Sequence, residues 1–189
     1  METTLNKTEQ ELCLTIARQA LESAVNSLSL PEIDLSELPS SLGQERASFV
    51  TLTVDGRLRG CIGTLQAYQP LANDIQEHAV AAGLQDFRFP NVQPGELDQI
   101  KIEVSVLSPQ QPLDYEKPED LIEQLRPDVD GVVLQDGFQK ATFLPQVWEK
   151  LPNPDQFLSQ LCMKMGAPPD LWRKKSLKVF TYQVQEFHE

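Results

Sequence analysis

The sequence predicts an α+β fold, a mixed, antiparallel-rich sheet with helices packed on it, and three observations carry that prediction. Two β-rich stretches each break at an Asp-Gly pair, at Asp55-Gly56 and at Asp136-Gly137, which is a hairpin signal. Ile100, Ile102, Val104 and Val106 alternate with Lys101, Glu103 and Ser105, the period of a strand with one buried face. Other segments repeat their apolar residues at helical spacing. Strands and helices interleaved in this way indicate α+β.

In chain order, Leu12, Ile16, Ala20, Val25 and Leu28 mark an N-terminal helix, with Thr8 and Glu11 offering a capping box. Residues 31–44 are rich in Pro, Ser and acidic residues and read as a surface connection. Residues 47–54 and 57–65 form the first hairpin. Pro70 opens a helix whose stripe is Leu71, Ile75, Ala79 and Ala82. DFRFPNVQPGEL is a loop, IKIEVSVL a strand closed at Pro109, and Glu119–Arg126 a short helix. GVVLQ and FQKATFLP make the second hairpin about Asp136-Gly137. Pro154–Met165 is a helix ended near Gly166, and Leu177–Phe187 a closing strand. The chain reads as a single domain over 1–189, or as two closely packed halves with a boundary near 110–128. A duplicated hairpin-helix unit is left open, because the hairpins share little residue identity.

The chain has 189 residues with 40% hydrophobic and 23% charged, a composition that can bury a core without disulfides. Its net charge of -12 opposes binding a phosphate polymer over a broad surface, although a small anion in a local pocket fits. Cys13, Cys61 and Cys162 are odd in number and widely spaced, which reads as free thiols in a reducing compartment. The polar N-terminus carries no apolar signal core and no apolar run reaches membrane-spanning length, so the expected location is the cytoplasm, with no membrane partner. Without CxxC, HExxH, GxGxxG after a strand, or GxxxxGK followed by Ser or Thr, the sequence implies no metal and no cofactor.

The candidate chemistry centres on Arg59 and Cys61. A two-residue turn at Asp55-Gly56 sets Leu52 opposite Arg59 and Val50 opposite Cys61, making Arg59 and Cys61 same-face neighbours about 7 Å apart along the strand. A guanidinium there could stabilise a thiolate. The alternative is a small, packed cysteine and an edge-strand arginine. Gly60 and Gly63 flank the cysteine, and strand glycines imply a bulge or a close approach by backbone or ligand. His78 falls on the apolar helical stripe, which favours a packed histidine over a Cys61–His78 nucleophilic pair. Arg88 between Phe87 and Phe89 suits an anion or a partner, or a loop pinned by its own rings. Glu103 is a candidate counter-charge for Arg59 or Arg88, while Gln146 and Lys164 are polar residues beside apolar segments.

LRGCIGT at 58–64, FRFP at 87–90, ELDQIKIEVSVLSP at 96–109, FLPQV at 143–147, DQFLSQLCMKMG, PPDLW at 168–172 and the final FHE together resemble the AMMECR domain family. The resemblance spans nearly the whole chain, and LRGCIG is its most specific part. Prokaryotic members are commonly called AmmeMemoRadiSam system protein A, so the resemblance implies as partners a Memo-like protein and a radical S-adenosylmethionine protein. It also implies a duplicated α+β fold with a cleft near LRGCIG. Its motif positions fall on Leu58, Arg59, Gly60, Cys61, Ile62, Gly63, Arg88, Phe89, Pro90, Glu103, Gln146 and Lys164. Phe87 replaces the family's proline before RFP, and Ala141-Thr142 a more glycine-rich approach to LPQV. The resulting expectation is an accessory protein that binds a ligand or these partners, the ligand being a small anion. The alternative is an enzyme using Cys61, activated by Arg59, on a small molecule.

Overall fold

Asn6 accepts the backbone N–H of Glu9 while the Glu9 carboxylate accepts that of Asn6, and this reciprocal cap starts helix α1 (Lys7–Val25). The cap lies two residues before the Thr8–Glu11 pair that the sequence offered. The computed structural model describes residues 4–189, which divide into one unit of residues up to Ser108 plus Gln185–Glu189 and a second unit, Pro109–Val184.

In the first unit, strands β1 (Ser48–Val54) and β2 (Arg57–Gly63) form the predicted hairpin. Asp55 and Gly56 both take positive φ (50° and 72°), the left-handed pair that a twist-matched two-residue turn requires. Helix α2 (Leu71–Leu84) follows, then a short 3-10 turn (Pro94–Gln99) within the stretch expected to be loop, then β3 (Ile100–Leu107). The sheet order is β2-β1-β3-β8, where β8 is Val184–His188. Val50, Leu52, Ile102 and Val104 are fully buried on one face, and α1 and α2 cover that face through Ala17, Leu21, Leu71, Ile75 and Ala79. The chain end closes the unit: the Glu189 carboxylate pairs with Arg18 and accepts the Ile102 N–H, while Arg18 also donates to the Leu97 and Ile100 carbonyls.

The second unit holds β4 (Gln111–Pro112), α3 (Pro118–Gln124), β5 (Gly131–Asp136), β6 (Gln139–Phe143), a 3-10 turn (Pro145–Glu149), α4 (Pro154–Lys164), α5 (Leu171–Lys174) and β7 (Lys178–Tyr182). Its sheet runs β4-β7-β5-β6. Trp148 and Phe157 stack at 3.6 Å in its core, and the indole N–H donates to the Asp130 carbonyl. Asp136 pairs with Gln139, so the turn residues are Gly137 and Phe138, one position beyond the expected pair; glycine comes first in the turn with φ 59°.

The closing strand predicted over 177–187 is two strands that break at Gln183, β7 in one sheet and β8 in the other. Both sheets therefore share a plan. Each has a hairpin with its second strand at an edge, a later strand beside the hairpin's first, and then a fourth strand. That fourth strand is β8 in the first unit and β4 in the second, so each sheet ends on the strand that follows the other sheet's third. No helix among the described residues is long and apolar enough to cross a membrane.

Candidate functional site

The register of the first hairpin decides what Cys61 faces. Val54 pairs with Arg57 and Thr53 with Leu58, but Leu52 then pairs with Gly60 and Thr51 with Cys61. Arg59 is the extra residue of a β-bulge. A one-residue shift exchanges the faces of everything beyond it, so the expected pairs of Leu52 with Arg59 and Val50 with Cys61 do not form. Gly60 turns to the buried face and Cys61 to the opposite one, away from the helices.

The bulge has a packing reason. A Cβ at Gly60 would lie 2.1 Å from the Ala82 carbonyl oxygen, so α2 can lie against the hairpin only if this position is glycine and faces it. Gly63 is similar: its missing Cβ would fall 2.4 Å from the Phe49 ring. Both glycines thus admit protein atoms on the side their missing Cβ would face.

One acid–arginine pair holds Cys61. Asp86, 5% exposed, accepts the Cys61 backbone N–H at 2.9 Å and the Arg88 guanidinium at 2.7 and 2.9 Å. Arg88 in turn donates to the Cys61 carbonyl at 3.1 Å. The backbone of Cys61 is therefore held on both sides. The hydrogen bond from Arg88 is the main reason that the Asp86 carboxyl sits well below the usual carboxylate range. Arg88 is raised above its ordinary value by Asp86 first, with a smaller contribution from Cys61. The Thr51 hydroxyl donates to the Cys61 sulfur at 3.2 Å.

Arg59 is engaged elsewhere. It donates to both Glu96 oxygens at 2.9 and 3.1 Å and to the Pro90 carbonyl at 2.8 Å, clamping the 87–96 loop to the hairpin. Arg59 lowers the Glu96 carboxyl pKa. Arg57, Arg59, Leu58 and Val54 line an open hollow of about 390 Å³ beside the turn. The expected Arg59–Cys61 couple is therefore replaced by Arg88 beside Cys61. Glu103 pairs with neither arginine; it stands on the same outward face as Thr51, directly opposite it on β3. Phe89 lies under the Arg88 guanidinium at 5.5 Å, but Phe87 is 95% exposed, so the guanidinium is not held between two rings.

His78 lies on the helix side of the sheet, its Nδ1 3.1 Å from Asp74, a carboxylate that also accepts the Ser48 N–H and hydroxyl. Cys61 points to the other face, so no Cys61–His78 pair forms. Gln146 and Lys164 belong to the second unit. Gln146 is exposed on the turn after β6, and Lys164 donates to the Thr142 carbonyl and lies over the Phe143 ring, joining the end of α4 to β6. Cys13 and Cys162 are fully buried; burial pushes the Cys13 thiol up to about 12 and raises Cys162. Among the described residues, no three His, Cys, Asp or Glu side chains are grouped to hold a metal ion.

Sequence reasoning missed Asp86, Glu96 and Thr51 as members of the site. Glu96 carried a signal, since Gln93 and Glu96 stand at capping-box spacing, and the Glu96 carboxylate does accept the Gln93 backbone N–H at 2.8 Å. Thr51 carried none until the bulge was known.

The AMMECR1 family model matches residues 14–187. A protein of Methanothermobacter thermautotrophicus is 39% identical over 98% of this chain and 96% of its own length. One from Methanocaldococcus jannaschii is 32% identical over 96% and 90%. The crystal structure of an uncharacterized protein from Pyrococcus horikoshii superposes with a TM-score of 0.82 at 30% identity, covering 95% of this chain and 91% of that one.

Proposed function

The chain belongs to the AMMECR1 family, and on that premise we propose that it is a thiol-dependent protein in which Cys61 takes an acyl or sulfanyl group from a small electrophilic donor. One observation carries this reading. The bulge at Arg59 turns Cys61 onto the face away from the helices, where its sulfur receives the Thr51 hydroxyl and its backbone is fixed by Asp86 and Arg88. A nucleophile gains from a held geometry, which Asp86 and Arg88 supply at the backbone and the Thr51 hydroxyl at the sulfur. The small-anion reading is weaker, because Arg59 and Arg88 each already have a carboxylate partner.

The test is acyl transfer from p-nitrophenyl acetate. A burst of nitrophenolate equal to one per chain, absent in Cys61→Ser, is expected; a burst that survives in Cys61→Ser rejects the reading.

A second reading keeps the chain as an accessory that docks a Memo-like protein and a radical S-adenosylmethionine protein. The support is Phe87, 95% exposed next to the hydrogen-bonded Asp86–Arg88 pair, since a large apolar ring held out on a loop tied to the hairpin suits a partner surface. Titration of each purified partner, with Phe87→Ala as control, decides it: binding that Phe87→Ala weakens supports docking, and no binding removes it.

A further inference from the structure

On the outward face of the first sheet, three polar side chains stand in one row across three strands. Thr51 of β1 is directly opposite Cys61 of β2 on one side and directly opposite Glu103 of β3 on the other. Opposed residues in antiparallel strands share a face with Cβ atoms about 5 Å apart. The Thr51 hydroxyl already reaches the Cys61 sulfur at 3.2 Å. In that contact the hydroxyl donates to the sulfur; once rotated, the same hydroxyl accepts the thiol proton while donating its own across the row, which neither a carboxylate nor an apolar side chain in that place could do. Further along the same face of β3, Ser105 and Leu107 are buried, so the row borders a covered surface.

We infer that Thr51 and Glu103 form a proton relay for Cys61. The inference rests on Cys61 acting as a nucleophile, as proposed above, and adds where its proton goes. As the sulfur bonds to the carbonyl carbon of an acyl donor, the thiol proton passes to the Thr51 oxygen and the Thr51 hydroxyl proton passes to the Glu103 carboxylate. When the adduct collapses, the bond from carbon to the alcohol or thiol leaving group breaks. The leaving group keeps the electron pair and recovers the proton from Glu103 through Thr51. The products are a thioester on Cys61 and the free alcohol or thiol.

The surroundings suit the task. Burial, followed by the neighbouring charge of Glu186, raises the Glu103 carboxyl, and His188 opposes them. Those two residues belong to β8, Lys101 is two residues along β3 on the same face, and Arg88 with Asp86 stands at the Cys61 end of the row. A carboxyl raised towards neutral pH is a better proton acceptor and donor there than an ordinary one.

The experiment is the rate of iodoacetamide alkylation at Cys61, resolved by peptide mass spectrometry and followed against pH in the full chain. The wild-type rate should rise with the ionisation of Glu103. Glu103→Gln and Thr51→Val should each remove that rise and slow the reaction about 100-fold near neutral pH, the lower end of what a positioned base contributes. Their double variant should be no slower than either alone, and Thr51→Ser should restore the wild-type profile. A Glu103→Gln chain that alkylates as fast as wild type or faster overturns the relay, since removing a negative charge beside a spectator thiolate would speed it. So does a Thr51→Val chain with the wild-type profile. If wild-type Cys61 is inert until the protein unfolds, the nucleophile reading falls and the relay with it; if it reacts but Glu103→Gln is no slower, only the relay falls.

Discussion

Replacing Gly60 with alanine tests the packing that turns Cys61 outward. The new methyl carbon would stand 2.1 Å from the Ala82 carbonyl oxygen and 3.1 Å from its carbon, both backbone atoms that cannot rotate aside. Either α2 lifts from the hairpin or the strand shifts. Overpacking of this kind costs 1–3 kcal/mol, and two opposed backbones put Gly60→Ala near the top, about 3 kcal/mol. For a chain of this size that corresponds to a melting temperature lower by about 9 °C. Both tryptophans, Trp148 and Trp172, lie in the second unit, so tryptophan fluorescence does not follow the hairpin. Hydrogen exchange of the 48–63 segment, with circular dichroism for the melt, is the suitable assay. Gly95→Ala is the control, because nothing lies within 4 Å of its Cβ position, and it should change stability by no more than about 0.5 kcal/mol. If Gly60→Ala is as benign as Gly95→Ala, the close approach of α2 does not dictate the register.

Other outcomes follow from the same geometry. Asp86 has a carboxyl depressed chiefly by Arg88, so its contribution to stability is complete above about pH 4, the unfolded value, and is lost as pH falls through the lower folded one. Asp86→Asn should therefore lower stability at neutral pH and flatten its acid dependence in urea titrations. Arg59→Ala should loosen the 87–96 loop in hydrogen exchange yet leave Cys61 alkylation within about 3-fold, whereas Arg88→Ala, which frees the Cys61 carbonyl and unpairs Asp86, should slow it by about 10-fold through lost positioning. Glu189→Gln removes the carboxylate that holds Arg18 and the Ile102 N–H, and should cost about 1.5 kcal/mol by urea unfolding, the scale of a hydrogen bond to a charged group.

Much of the fold is legible in the sequence because its elements carry local signals. The alternation from Ile100 to Leu107 gives β3 with its bounds, and the stripe of Leu71, Ile75, Ala79 and Ala82 gives the buried face of α2. The failures arise where a long-range contact outranks the local pattern. The bulge at Arg59 answers to Ala82, a residue on a different element, so a turn rule applied to Asp55-Gly56 places Cys61 on the wrong face. The segment 177–187 alternates like one strand because both its halves are strands; nothing local says that they pair in different sheets. Arg59 and Arg88 both stand out as candidate cations, but only the folded chain shows that Glu96 takes one and that Asp86 sets the other beside Cys61.

The most direct measurement of the central claim is native-state labelling of the three cysteines with iodoacetamide at neutral pH, quantified for each peptide. The account predicts that Cys61 is modified in the folded chain while Cys13 and Cys162, buried and with raised thiols, react only after denaturation. Equal protection of all three would mean that the bulge does not present Cys61 for chemistry, and would contradict the account at its centre.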